Sequence, residues 1–106
     1  MPFLLAAISV LRDDEFEWDD GKARTNRLKH SIAFQAARCV FDDPFAVLSE
    51  DDSKVDGEDR YQATGAVAGF VITVSYTMRG ERIRIISARK ANSHEQRDYR
   101  RAAEED

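Results

Sequence analysis

From Arg60 to Lys90 the chain reads as strand almost without a break, and this run limits the possible folds more than any other. "RYQATGAV" passes through Gly69 into "FVITVSYT", where Phe70, Ile72, Val74 and Tyr76 fall on one face. Arg79-Gly80 marks a turn, and "RIRIIS" returns with Ile83 and Ile85 on one side and Arg82 and Arg84 on the other. Strands joined by so few residues form an antiparallel meander. "FAVLS" (45–49) adds a short strand before them, and the acidic "EDDSKVDGED" between is expected to be a loop. An apolar sheet face of this kind needs a cover.

The segment before the sheet supplies it. "EWDDGKARTNRLKH" opens a helix that Asp19 or Asp20 can cap, with acidic residues at its positive end. Lys22, Asn26 and Lys29 stand at i, i+4 and i+7 as one polar stripe, with His30 beside it. A second short helix follows, in which Phe34, Ala37, Val40 and Phe41 share an apolar face. "DDP" (42–44) stops it, because proline disfavours helix in the residue before it. After the sheet, "SHEQ" (93–96) matches the capping-box pattern and starts a helix to about Ala103. The expected architecture is α+β. Two N-terminal helices pack on one face of a roughly four-stranded antiparallel sheet, a C-terminal helix closes the chain, and arginines lie on the partly free second face.

At 106 residues this is one domain, spanning 16–106, with 1–15 as an N-terminal extension. The apolar run Phe3–Leu11 lacks a preceding basic stretch and is about half the roughly 20 residues of a membrane span, so it is expected to pack on this domain or on a partner. The single cysteine, Cys39, cannot form an internal disulfide, and a reducing cytoplasm fits best. Net charge is −4, but it is distributed in blocks: −5 over 1–21, +5 over 22–40, −7 over 41–59, +5 over 60–100 and −2 over 101–106. Blocks of one sign make separate surface fields, and the two basic blocks matter only where folding joins them.

Few chemistries survive inspection of the motifs. His30 and His94 sit in different elements, and no H-x-x-x-H or C-x-x-C spacing exists. The acidic 50–59 segment lacks the ordered ligand pattern of a calcium loop. No glycine-rich phosphate loop and no nucleophile elbow is present, so neither metal nor cofactor is expected. What remains is a set of cations, Lys22, Lys29, His30, Arg60, Arg79, Arg82, Arg84 and Arg89, with Trp18, Tyr61 and Tyr76 for company. Cleaving RNA through its own 2′-hydroxyl needs a base, an acid and cations to stabilise the crowded phosphorane. Histidine suits either proton role, and the arginine fork matches pairs of phosphate oxygens. Composition and periodicity alone stop at a small α+β domain with a basic face.

The motifs go further. "FEWDDGKARTNRLKHSIAFQAARCVFDDP", then "GEDR", then "YTMRGERIRIISARKA" and a closing "EQRDY" resemble the BrnT family, small ribonuclease toxins of type II toxin–antitoxin pairs. Three features carry the resemblance over about residues 16–100: W-D-x-x-K-x-x-x-N-x-x-K-H, the F-x-D-P helix stop, and R-I-I-S-A-R-x-A. The resemblance implies a RelE-like fold and metal-independent RNA cleavage that arrests translation in the cytoplasm. It implies a cognate BrnA-like antitoxin that binds DNA, so that the toxin meets operator DNA only through a hetero-oligomer with that partner, and it implies no membrane role. Lys29, His30, Arg79 and Arg89 match positions expected to be catalytic, His30 as the proton carrier. Lys22, Asn26, Arg60, Arg82 and Arg84 are expected to bind RNA. Ala33 stands where the family pattern has a serine that caps the second helix, and the acidic segment lacks the histidine common there. The alternative is a non-catalytic RelE-like module that binds RNA or only a protein partner.

Overall fold

The computed structural model describes residues 15–55 and 57–104; Phe3–Leu11 lies outside them. The order is β1 (Phe16–Glu17), α1 (Asp20–His30), α2 (Phe34–Ala37) running into a 3-10 turn (Arg38–Asp42), β2 (Val47–Val55), β3 (Glu58–Val67), β4 (Phe70–Arg79), β5 (Arg82–Lys90) and α3 (Ser93–Glu104). The sheet order is β1-β5-β4-β3-β2. Strands β2 to β5 form the expected antiparallel meander.

Two details differ from the sequence expectation. The sheet has five strands and is mixed, because Phe16 and Glu17 pair in parallel with Ile83 and Arg84. A two-residue strand leaves no periodicity to read. The acidic segment expected as a loop is instead mostly the continuation of β2, which pairs from Val47↔Thr64 to Asp51↔Arg60 before an irregularity. An edge strand tolerates charge because its free side faces water, so low β-propensity does not exclude it.

α1, α2 and the 3-10 turn cover one face of the sheet, while α3 meets the other through the bonds of Glu95 to Thr73 and Arg89. Phe34, Ala37 and Val40 have no exposed surface and pack against Ile72, Val74, Ile85 and Ala88. Aromatic contacts extend this core: Trp18 meets Phe34 edge-on at 5.8 Å, and Phe41 meets Tyr76 at 5.1 Å. The second helix is short. Ala33 offers no side-chain cap, and the chain tightens to 3-10 geometry before Asp43 turns it into the loop. Asp43 accepts from the backbone N–H groups of Phe45 and Ala66 and from the Tyr99 hydroxyl, at 2.6 Å, which ties α3 to the motif that stops the second helix. Burial pushes the Asp43 carboxyl up, but these hydrogen bonds outweigh it and hold it below its ordinary value. The same bond drives the Tyr99 phenol up to about 12.

At the β3–β4 turn both Ala68 (φ 51°) and Gly69 (φ 86°) are left-handed, the signature of a type I′ hairpin. Phe70, just past the turn, is 57% exposed although its alternation places it on the core side.

Candidate nucleic-acid interface

One register shift organises the second face of the sheet. Ser75 pairs with Ser87, yet Tyr76 pairs with Ile85, so Ile86 is an extra residue in β5. Such a bulge reverses the in-out alternation beyond it. Arg82 pairs with Arg79 and Arg84 with Thr77; beyond the bulge Ser87 pairs with Ser75 and Arg89 with Thr73. Arg79, Arg82, Arg84 and Arg89 therefore share one face. Strict alternation would have sent Arg89 to the core side. Arg60 precedes core-facing Tyr61 in β3 and so joins the same face.

Most of these arginines have carboxylate partners. The Arg84 Nη1 donates to Glu17 at 2.7 Å, across the β1–β5 pair. At the exposed end of the meander the Arg79 Nε donates to Glu58 at 2.9 Å. The Arg79–Glu58 bond raises the Arg79 guanidinium above its ordinary value and lowers the Glu58 carboxyl below its own. Arg82 stands exposed at the start of β5. The Arg60 Nε is buried without a hydrogen-bond partner among the described residues.

Arg89 is held most firmly. Its Nη1 and Nη2 donate to Glu95 Oε1 and Oε2 at 2.7 and 2.9 Å, a bidentate fork. Glu95 also accepts from the Asn92 backbone N–H and from Thr73 Oγ1, while the Glu95 N–H donates to Asn92 Oδ1. The capping box of α3 is thus Asn92 with Glu95, one residue earlier than the "SHEQ" reading. The Thr73 hydroxyl gives its proton to Glu95, so in its 2.8 Å contact with Thr64 it must accept. The Arg89 fork, ahead of the other hydrogen bonds, brings the Glu95 carboxyl down to about 2. Neither Glu95 nor the bulge figured in the sequence reading. The signals available were the Ile85-Ile86 doublet, which breaks alternation, and an Asn-x-x-Glu spacing as good as Ser-x-x-Gln.

Helix α1 brings the 22–40 basic block to the same strand. Asp19 caps it by accepting from the Lys22 backbone N–H at 2.9 Å, and Arg27, Lys29 and His30 occupy its negative end. β1 reaches only as far as Arg84, and farther along the edge of β5 the side chain of Asn26 takes the place of a strand. Its Nδ2 donates to the Ala88 carbonyl at 2.9 Å and to the Ile32 carbonyl at 3.0 Å, and its Oδ1 accepts from the Ala88 N–H at 3.0 Å. Asn26 is 5% exposed, so the middle of the expected polar stripe is a buried joint between helix and sheet. Seated this way, α1 and β5 enclose a shallow pocket of about 450 Å³ lined by Lys22, Asn26, Lys29, His30, Ile86 and Ser87, among others. The pocket thus gathers the first motif's four polar residues, and the arginine face gathers Arg60, Arg79, Arg82, Arg84 and Arg89. Ser87 belongs to both. Among the described residues no three His, Cys, Asp or Glu side chains converge as a metal site.

A family model described as the ribonuclease toxin BrnT of type II toxin–antitoxin systems matches residues 18–95, most of the chain. The chain belongs to the BrnT family. The matched span opens at Trp18 and closes at Glu95, so it holds both the α1 pocket and the Arg89–Glu95 fork. No curated protein matches the chain. No helix among the described residues is long and apolar enough to cross a membrane.

Proposed function

We propose that this BrnT-family chain is a cytoplasmic, metal-independent endoribonuclease that cuts single-stranded or messenger RNA, arrests translation, and is neutralised by a DNA-binding antitoxin. The observation that carries the reading is the seating of α1. It sets His30 and Lys29 in one pocket with Ser87, which borders the arginine face. In this mechanism the 2′-oxygen attacks the adjacent phosphorus, the bond to the 5′-oxygen breaks, and a 2′,3′-cyclic phosphate and a 5′-hydroxyl result. His30 carries a proton at the reacting oxygens, while Lys29, Arg79 and Arg89 stabilise the phosphorane. Lys22, Arg60, Arg82 and Arg84 supply the field that draws the RNA backbone in. With both side-chain polar atoms committed to backbone, Asn26 serves best as the positioning residue that seats the helix.

Expression of residues 1–106 without the antitoxin tests this in cells: growth stops, and Arg89→Ala relieves the arrest while the protein remains folded. One observation favours the alternative of a non-catalytic RNA-binding module. Arg79, Arg84 and Arg89 each already hold a carboxylate. That module binds RNA with a steep salt dependence and cleaves none.

A further inference from the structure

His30 lines two pockets. One is the cationic pocket on α1; the other, of about 340 Å³, is walled by Ile32, Ala36, Val67 and Ile72, with Phe70 and Lys90 also among its lining residues. Phe70 is the most exposed aromatic side chain among the described residues. The Lys90 ammonium sits 5.4 Å from the centre of its ring. An exposed ring beside a cation, opening on the pocket that holds the proton carrier, is how single-stranded RNA is gripped: the base stacks, and the backbone phosphates pass the cations.

We propose that this second pocket is a nucleobase subsite, in which a base flanking the scissile phosphodiester stacks on Phe70 while that phosphodiester lies at Lys29 and His30. The inference rests on the ribonuclease reading and adds to it the residue that chooses where the chain is cut. The apolar walls suit the flat face of any base, and size and shape would set the preference. A basic protein segment fits the same place less well, because Lys90 stands at the ring. Phe70 owes its exposure to its place at the end of the sheet, where β4 leaves the hairpin turn. Its truncation therefore leaves the core intact, and altered RNA handling can be read directly.

The test uses the full chain and short fluorescent single-stranded RNAs of mixed sequence, 2′-O-methylated so that no cyclisation can occur. Phe70→Ala weakens binding about tenfold, whereas Phe70→Trp binds at least as well as the wild type and gains fluorescence that RNA quenches. With unmodified RNA, Phe70→Ala raises KM and spreads the cuts over more sites. If Phe70→Ala binds RNA and selects its cuts as the wild type does, the subsite is wrong although the ribonuclease reading stands. If the same variant handles RNA normally but loosens the antitoxin complex, the pocket docks protein and the subsite is again wrong. A wild type that neither binds nor cuts RNA removes the ribonuclease reading, and the subsite with it.

Discussion

Arg89 and Glu95 meet as a parallel fork, Nη1 to Oε1 at 2.7 Å and Nη2 to Oε2 at 2.9 Å, and this fork joins the last strand of the sheet to the first turn of α3. It makes stability depend on acid. The Glu95 carboxyl lies at about 2 in the folded chain, against an ordinary value of 4.5. Its contribution is therefore complete above the ordinary value and drains away as pH falls toward 2. The Glu95 side chain is 16% exposed and that of Arg89 is 35% exposed, so solvent screening trims the contribution to about 2 kcal/mol. Urea denaturation from pH 7 to pH 2 should show this loss in the wild type. Glu95→Gln should start about 2 kcal/mol lower at pH 7 and converge with the wild type at the acid end.

Asn26 offers a second measurable consequence. Asn26→Ala removes the partner of both the Ala88 N–H and the Ala88 carbonyl, groups that lie buried at the edge of β5. The expected loss is about 2–3 kcal/mol in urea denaturation. Asn26→Asp keeps an acceptor for the N–H but points carboxylate oxygen at the carbonyls of Ala88 and Ile32, and it should be at least as damaging.

The β3–β4 turn predicts a gain. Ala68 is held at φ 51° in a type I′ position that favours asparagine or glycine. Ala68→Asn should raise the midpoint of thermal unfolding, with a stability gain of about 0.5–1 kcal/mol. Gly69→Ala, at φ 86°, should do the reverse.

Much of this molecule was legible in its residues. The meander, the helical cover, and the core of Phe34, Val40, Ile72, Val74 and Ile85 follow from periodicity, because period and burial are coupled wherever one face is wet. The Asp19 cap was one of two candidates named. What stayed hidden is what no period encodes. β1 is too short to repeat, and β2 is a charged edge strand whose pairing is decided by its neighbour. The Ile86 bulge is a counting error built into a ladder, and it moves Arg89 from the core side to the arginine face. Asn26 looked like one of three wet residues on a helix, and only the open edge of β5 explains why it is buried. The candidate residues were chosen by type and motif, and their roles in RNA cleavage and binding belong to the proposal. Which of them are tied up, and by which carboxylate, is tertiary information.

The central claim is RNA cleavage by this chain without a metal ion. Purified protein, free of antitoxin, incubated with single-stranded RNA and excess EDTA between pH 5 and 9, tests it most directly. The account predicts fragments ending in 2′,3′-cyclic phosphate and 5′-hydroxyl, with the rate falling about 10²–10³-fold in Arg89→Ala or His30→Ala. RNA left intact by the folded wild-type protein across that whole range would contradict it.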